Sequence, residues 1–256
     1  MSTVQSVERA FSILRCLASG PLGVSEIADR TDLPKSTVSR LLGTLVETGA
    51  VEQSDLLGVY GLGELIIELS SSASPGSNLV SIARPFLVEL VEQIGEAAGL
   101  GMLDGAQVYY LDQVDGDHEV QVRDWTGESV DAHVVSSGLI LMAHVPRELR
   151  VEWLAGPLEP QTEHSVTDPA VLARRLDEVR RAGFAWVYEE MSEGLNSVAA
   201  PIVNPAGSVI AAVHAHGPSY RFPEPGGAAS VAAAVVDTAQ RISDRLSGRH
   251  RPESAA

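Results

Sequence analysis

The chain has 256 residues, of which 45% are hydrophobic and 20% are charged, a composition typical of one large globular domain or two smaller ones. This apolar content excludes disorder over most of the length, and the single cysteine, Cys16, excludes an internal disulfide. The first residues lack a basic segment followed by an apolar run, and no stretch approaches the roughly 18 apolar residues of a membrane span. We therefore expect a soluble, cytoplasmic protein with no membrane partner.

The formal net charge of −16 argues, on average, against a nucleic-acid-binding protein. The charge is unevenly divided, however. Residues 1–61 hold five basic and seven acidic side chains, whereas residues 62–256 hold 13 basic and 27 acidic ones. Only the second part is strongly acidic, so DNA binding by the first part is not excluded. The single lysine of the chain, Lys35, lies in that first part.

Three helices are predicted near the N-terminus. Residues 7–18 place Val7, Ala10, Phe11, Leu14 and Leu17 at helical spacing, and Gly20-Pro21 stops this helix. Ser25 is the expected cap of a short second helix over residues 26–31, and Asp32-Leu33 form a turn. Pro34 stands where a third helix would begin, because the first helical position tolerates a missing N–H.

The third helix is predicted over residues 35–48, with Val38, Leu41, Leu42 and Leu45 as its apolar stripe and Gly49 at its end. Two short β segments, residues 50–53 and 58–62, follow around a turn at 54–57. Three helices and a two-stranded hairpin, or wing, together predict a winged helix-turn-helix domain over residues 1–61.

A linker helix is predicted over residues 63–72, followed by a serine-rich joint over 70–78. We assign residues 62–78 to the linker and joint, 79–249 to a second domain and 250–256 to a tail. In the second domain the patterns predict helices at 79–99, 136–145, 170–184 and 226–246, and strands at 99–103, 107–114, 119–125, 198–204 and 208–217. The fold class is therefore α+β.

The N-terminal face of the third helix is the predicted DNA-reading element, because the second helix of a helix-turn-helix inserts this end into the major groove. That face carries Lys35, Ser36, Thr37, Ser39 and Arg40. The two cations suit phosphates or guanine, and short hydroxyls permit close approach. The alternative is an ordinary solvated surface on a three-helix bundle, and the wing favours DNA. Asp55 at the wing tip, where no arginine occurs, predicts weak wing contacts.

His214 and His216 lie two residues apart on a predicted strand, so both side chains point to one face. They are either donors to an effector, structural histidines or metal ligands; no third or fourth ligand stands out, so we predict no metal site and no cofactor. The run Glu189-Glu190 with Glu193 suggests either paired catalytic carboxylates or, more commonly, a solvated loop. Trp125 and Trp186 either wall a pocket or fill a core.

No nucleophile elbow, dinucleotide fingerprint or P-loop occurs in the sequence, so we predict a regulator and not an enzyme. An enzyme whose first domain docks to partners is the competing class.

Three N-terminal segments, VQSVERAFSILRCLA, SEIADRTDLPKSTVSRLLGTLVETGAV and YGLGELIIEL, closely resemble the N-terminal domain of IclR-type bacterial transcription regulators. The resemblance continues through LDGAQVYYLDQVDG, AHVVSSGLILMA and EGLNSVAAP to the terminal helix. It implies a winged helix-turn-helix, a linker helix and a GAF-like effector-binding domain. It also implies a homodimer or dimer of dimers, double-stranded operator DNA near metabolic genes, and a small organic acid as effector. Repression and activation are both open.

The resemblance also implies a ligand pocket at Val135, Ser136, Ser137, Gly138, Val187, Leu195, Ser197, His214 and His216. The chain departs from the family pattern here: Leu139 follows Gly138 where lysine is common, Ser197 replaces a frequent cysteine, and the two histidines replace small polar residues. Because imidazole is bulkier than serine, we expect a narrower, flatter cavity and a planar or aromatic effector.

Oligomerisation is expected on physical grounds as well. A single winged domain of net charge −2 has little electrostatic affinity for DNA, and two copies on a two-fold site raise the effective concentration. The apolar linker residues Leu65, Ile66, Ile67 and Leu69 either contribute to a dimer contact or pack on their own domain.

Overall fold

The computed structural model describes residues 4–18, 20–54, 58–66, 69, 75–119 and 121–248. The chain divides into two compact units, Met1–Ser77 and Asn78–Ala256. No helix within these described ranges is long and apolar enough to cross a membrane.

The described residues between 4 and 62 of the first unit form three helices and a hairpin, which confirms the predicted helix-turn-helix with its wing. The elements are α1 (Gln5–Leu17), α2 (Val24–Thr31), α3 (Lys35–Glu47), β1 (Val51–Ser54) and β2 (Val59–Leu62). The strands pair antiparallel, and Leu22 forms a further bridge to Tyr60. The buried core joins all three helices to the hairpin through Ile13, Leu17, Leu22, Ile27, Val38, Leu42 and Val51.

The structure differs in detail from the sequence predictions at three points in this unit. Helix α2 begins at Val24, before Ser25, because the Glu26 carboxylate accepts a hydrogen bond from the Gly23 N–H at 3.2 Å and caps the helix itself. Val7 and Phe11 are 52% and 59% exposed, since α1 turns Ile13 towards the core instead. Pro34 is the N-cap of α3, one residue before the helix.

The other boundaries of the first unit follow the sequence. Asp32 adopts φ 52° and Gly49 φ 76°, as a turn and a helix end require. Residues 64–66 and 69 are helical where a linker helix was predicted. Asp55 of the wing tip, Ile67 and most of the predicted joint lie outside the described residues.

The second unit is a six-stranded antiparallel sheet with helices on both faces. Its elements are α4 (Pro75–Ile94), β3 (Ala97–Asp104), β4 (Gln107–Val114), β5 (Ser129–Asp131), a 3₁₀ turn (Ala132–Val134), α5 (Ser136–His144), α6 (Arg147–Ala155), α7 (Pro169–Ala182), β6 (Ala185–Tyr188), β7 (Leu195–Val203), β8 (Val209–Pro218) and α8 (Ala228–Leu246). The strand order is β5-β4-β3-β8-β7-β6. This mixture confirms the α+β class.

Alternation along β8 separates the two cores of this unit. Val213 and Ala215 face α4 and α8, whereas Ala212 packs in the cluster of α5 and α7. Helix α5 is buried from Ser136 to Ala143, which fits its almost wholly apolar sequence. His214 and His216 share the face of Ala212, so both imidazoles are directed to the side on which α5 lies.

Two expectations for the second unit are wrong, and three elements are missing from the predicted patterns. The helix predicted to run to residue 99 ends at Ile94, because Gly95 adopts φ 75° and β3 begins at Ala97. Described residues of the 119–125 segment form no strand, since the Gln113 side chain bonds the Arg123 carbonyl and the Trp125 N–H in place of a neighbouring strand. The hydrophobic patterns predicted neither helix α6 nor strands β5 and β6, although the family resemblance implied a strand position at Val187.

Candidate functional site

The N-terminal end of α3 presents the polar face that was predicted to read DNA. Lys35, Ser36, Ser39 and Arg40 are exposed and Thr37 is half-buried. The buried side chains of the helix are Val38 and Leu42, which hold its opposite face in the core.

The charge at this helix end is suited to an anion. No side-chain cap and no acidic residue occupies the first turn of α3, so the positive end of the helix dipole is left uncompensated by its own sequence. Within the described ranges, neither Lys35 nor Arg40 forms an ion pair. Two cations and a helix N-terminus therefore face solvent together.

A nearly closed cavity lies in the second unit, beside the N-terminal end of α5. Its free volume is about 20 Å³, room for about one water molecule. The lining comes from strands β4, β6, β7 and β8, the start of α5 and two connecting segments: Tyr110, Trp125, Val135, Ser136, Val187, Met191, Leu195, Ser197, His214 and His216.

Small residues on the neighbouring strands make room for the two imidazoles. His214 lies between Gly99 of β3 and Ala199 of β7, and His216 pairs with Ser197 across the β7–β8 ladder. The imidazoles stack on each other with ring centroids 5.4 Å apart and planes 20° apart. The Tyr110 ring meets His214 edge-on at 4.9 Å.

Burial keeps both histidines neutral. It lowers the pKa of His214 well below its ordinary value, and the neighbouring His216 lowers it further. Burial lowers the pKa of His216 to about 4, although the Asp115 and Asp124 charges partly oppose this shift. Burial also raises the pKa of Tyr110 to about 12, so its hydroxyl stays protonated.

Two ring nitrogens in this cavity lack hydrogen bonds. Among the described residues, the buried His214 Nδ1 and His216 Nε2 have no partner. Leaving a buried polar atom unsatisfied costs about 1–3 kcal/mol, and such atoms in native proteins call for an explanation. A ligand with a hydroxyl, carboxyl or amide group would supply the missing bonds.

The structure brings seven of the nine sequence-predicted pocket residues to the cavity wall, but not Ser137 or Gly138. The Ser137 hydroxyl lies 3.3 Å from the Tyr110 hydroxyl, behind the wall. Gly138 packs on backbone, since a Cβ there would lie 2.0 Å from the Ala132 carbonyl oxygen.

Three wall residues were not assigned from the sequence. Tyr110 could have been assigned from the sequence, because the alternation of side chains along β4 places it on the same face as Val108. Of the two tryptophans that the sequence offers as pocket wall or core, Trp125 lines the cavity. Trp186 does not, and it stacks on Tyr188 with ring centroids 5.4 Å apart. No sequence pattern predicted Met191 as a wall residue, because it lies in the loop between β6 and β7.

The acidic run before β7 is neither a catalytic pair nor a simple solvated loop. Glu190 is buried and forms a bidentate ion pair with Arg175 at 2.6 and 2.7 Å. The Glu189 carboxylate accepts hydrogen bonds from the Gly194 N–H and the Ser219 hydroxyl. Both carboxylates therefore hold the loop in place. Within the described part of the chain, no group of three His, Cys, Asp or Glu side chains could hold a metal ion.

Family models match both units of the chain. The IclR helix-turn-helix domain matches residues 6–55, and the bacterial transcriptional regulator IclR C-terminal domain matches residues 72–244. The chain belongs to the IclR family. The resemblance seen in the sequence is thereby confirmed, as is the prediction of a transcriptional regulator in place of an enzyme.

Relatives and solved structures of the IclR family extend over nearly the whole chain. The HTH-type transcriptional regulator BhcR of Paracoccus denitrificans is 32% identical over 96% of this chain and 88% of its own length. The IclR structure from Thermotoga maritima has 29% identity and a TM-score of 0.64, covering 96% of this chain and all of its own. An IclR homologue from Microbacterium hydrocarbonoxydans, complexed with 4-hydroxybenzoate, has 26% identity and a TM-score of 0.64 over 95% and 99% of the two chains.

Proposed function

We propose that this IclR-family chain is a ligand-responsive regulator of a metabolic operon. Residues 1–61 bind double-stranded operator DNA, 62–78 link the domains, and 79–249 bind a small organic effector. The effector is a planar or aromatic acid or a related compound, and the protein acts as a homodimer or a dimer of dimers in the cytoplasm.

The observation that carries the effector assignment is the pair of unsatisfied imidazoles. Among the described residues, His214 Nδ1 and His216 Nε2 are buried without a hydrogen-bond partner. Both histidines line one cavity, and Ser136 and Ser197 belong to the same wall. Two stacked flat rings in a narrow space favour a flat ligand over a short aliphatic acid. The 4-hydroxybenzoate bound to the Microbacterium homologue belongs to the same chemical class.

The DNA assignment rests on the exposed end of α3. Lys35 and Arg40 are free of ion pairs within the described residues and lie beside an uncapped helix terminus. A helix of this kind enters the major groove with its N-terminal residues at base edges and phosphates. Few phosphate contacts per domain make two copies on a roughly palindromic site the favoured arrangement.

The effector would act by shifting the equilibrium between two geometries of the dimer. Binding more tightly to one dimer geometry than to another moves the equilibrium between DNA-competent and DNA-incompetent forms by the difference in affinity. The same ligand must then be bound with an affinity that depends on whether operator is present.

DNA binding is tested with the fragment upstream of the protein's own gene in a mobility-shift assay at two salt concentrations. We expect a sequence-selective complex that weakens as salt rises. Failure to find such a complex across a set of candidate promoters would overturn the function. Light scattering at micromolar protein should give at least a dimer, and a monomer with and without DNA would exclude the oligomer.

Effector binding is tested by a thermal-shift screen of small carboxylates, phenolic compounds and amides, with 4-hydroxybenzoate included. A compound that binds only the folded protein must raise the melting temperature. The cognate compound should also change operator affinity, whereas one that raises the melting temperature without changing operator affinity would be a bystander.

A further inference from the structure

Two side chains belong to both the closed histidine cavity and an open surface hollow. Trp125 and Met191 line the cavity on one side and, on the other, a hollow of about 340 Å³. The rest of the hollow is formed by Gln107, Ser129, Val130, Asp131, Gln161 and Ser192. Trp125 and Met191 are therefore the wall between solvent and the buried imidazoles.

The cavity has no free space for a ligand larger than about one water molecule. His214 and His216 are buried, and the free volume beside them is about 20 Å³. An aromatic acid can reach the imidazoles only if part of the wall moves. The shared wall comes from two connecting segments, whereas the remaining lining comes from strands and from the start of the buried helix α5.

Met191 is the fixed half of this wall. On one side of it, Glu190 is buried in its bidentate ion pair with Arg175. The Thr162 and Ser165 hydroxyls donate to the Glu189 and Glu190 carbonyls at 2.7 and 2.6 Å. Buried charge pairs and multiple bonds of this kind resist displacement.

Trp125 is held more weakly. It lies at the end of a segment whose described residues form no regular structure. Its backbone N–H donates to Gln113 Oε1 at 3.3 Å and its carbonyl accepts from the Glu128 N–H at 2.9 Å, but neither bond holds the indole ring. The Arg123 guanidinium covers its ring at 3.9 Å but is itself 60% exposed. An exposed cation–π contact of this kind is weak, so it does little to fix the ring. Gly127, at φ 86°, follows two residues later and ends the segment at β4 through the Tyr110 carbonyl.

We propose that Trp125 is the access residue of the histidine cavity: its indole swings away from Met191 to connect the hollow with the imidazoles, and its size limits which ligands pass. The functional meaning of this access rests on the proposed effector role of the cavity. The access itself is a property of the unliganded protein, so it can be measured without an effector.

Diethyl pyrocarbonate, which acylates neutral imidazole nitrogens, is a suitable probe at about pH 7. Peptide mass spectrometry reads the rate at each histidine, with His118 and His164, about half exposed, as internal references. In the wild-type protein we expect His214 and His216 to react at least about tenfold more slowly than these references, because reaction requires an opening event. In Trp125→Ala we expect their rates to rise by at least about tenfold, with the reference rates unchanged.

Trp153→Ala is the matched control. Trp125 and Trp153 are both half-buried and both pack against the hydrophobic cluster of α5 and α7. Trp153, however, lines neither the cavity nor the hollow. Its loss should leave His214 and His216 protected. If Trp153→Ala accelerates them as much as Trp125→Ala does, the access route is general loosening and the proposal fails.

Unchanged rates at both histidines in a folded Trp125→Ala protein would also overturn the proposal. Circular dichroism verifies folding, and if Trp125→Ala does not fold, the pair Trp125→Leu and Trp153→Leu decides by the same comparison. No DNA or effector is present in these measurements. Failure here therefore leaves the regulator function standing, and failure of the operator assays leaves the access route standing.

Discussion

The imidazole of His214 occupies the space in which Gly99 would otherwise carry a side chain. A Cβ at Gly99 would lie 2.6 Å from His214 Cε1 and 2.7 Å from the Asp112 carbonyl oxygen. Real Cβ atoms essentially never approach that closely, so the glycine on β3 and the histidine on β8 depend on each other. The unusual histidine is accommodated by a neighbour with no side chain.

Gly99→Ala should therefore destabilise the protein by about 1–3 kcal/mol, as overpacking does. His214→Ala should relieve part of that cost, since one of the two close contacts disappears while the backbone contact remains. Urea unfolding of the two single variants and the double variant gives the coupling energy. Changes that add within about 0.5 kcal/mol would mean that the two residues do not compete for the same space.

The buried histidines should also make stability depend on pH. Because the pKa of His216 falls from about 6.5 in the unfolded chain to about 4 in the folded protein, the unfolded state binds more protons between these values. Stability should be fully present above about pH 6.5 and lost as pH falls towards 4, by about 3 kcal/mol for this group alone.

The measurement is denaturant unfolding of wild type and His216→Asn at pH 7 and pH 5. The difference between the two proteins isolates the histidine from the carboxylates, which titrate in both. The wild type should lose more stability than the variant over this interval. Equal losses would mean that His216 is already protonated in the folded protein or lies in contact with water.

The sequence predicted the pocket's position better than its walls. The two-residue spacing of His214 and His216 is enough to place both on one face of β8. The apolar run of α5 predicts the neighbouring buried helix. Met191 could not be found in this way, because it reaches the cavity from an irregular loop. Its position depends on the Arg175–Glu190 ion pair, which links residues on different elements.

The errors in the predicted positions of helices and strands have local physical causes. The 119–125 segment alternates like a strand, yet a single side chain, Gln113, bonds its backbone where a partner strand would. At the start of α2, Glu26 caps the helix through the Gly23 N–H, so the serine that usually signals an N-cap lies inside the helix. The periodicity of apolar residues does not reveal where a side chain competes with the backbone for the same hydrogen bond.

The exposed end of α3 gives a direct prediction for DNA. Lys35→Ala and Arg40→Ala should weaken operator binding without changing the melting temperature, because both side chains are exposed and unpaired within the described residues. A phosphate contact should lower the salt slope by about one ion, and a base contact should cost about 1–3 kcal/mol at one position.

Fluorescence anisotropy over a range of salt concentrations separates these roles. Arg174→Ala, an exposed arginine on α7 in the second unit, makes the same change in net charge and serves as the control. Wild-type affinity and salt slope in both α3 variants would remove this helix end from the DNA interface.

The last prediction concerns the histidine pair as the centre of the effector response. His214→Ala or His216→Ala should abolish the change in operator affinity that the cognate effector causes, since each removes a buried ring nitrogen that has no hydrogen-bond partner among the described residues. Operator binding without effector should stay nearly intact, because neither imidazole lies in the DNA-binding unit. His164→Ala, on the surface, should respond like wild type. Operator affinity with and without effector decides the matter in each variant, and a full response in both cavity variants would make these histidines purely structural.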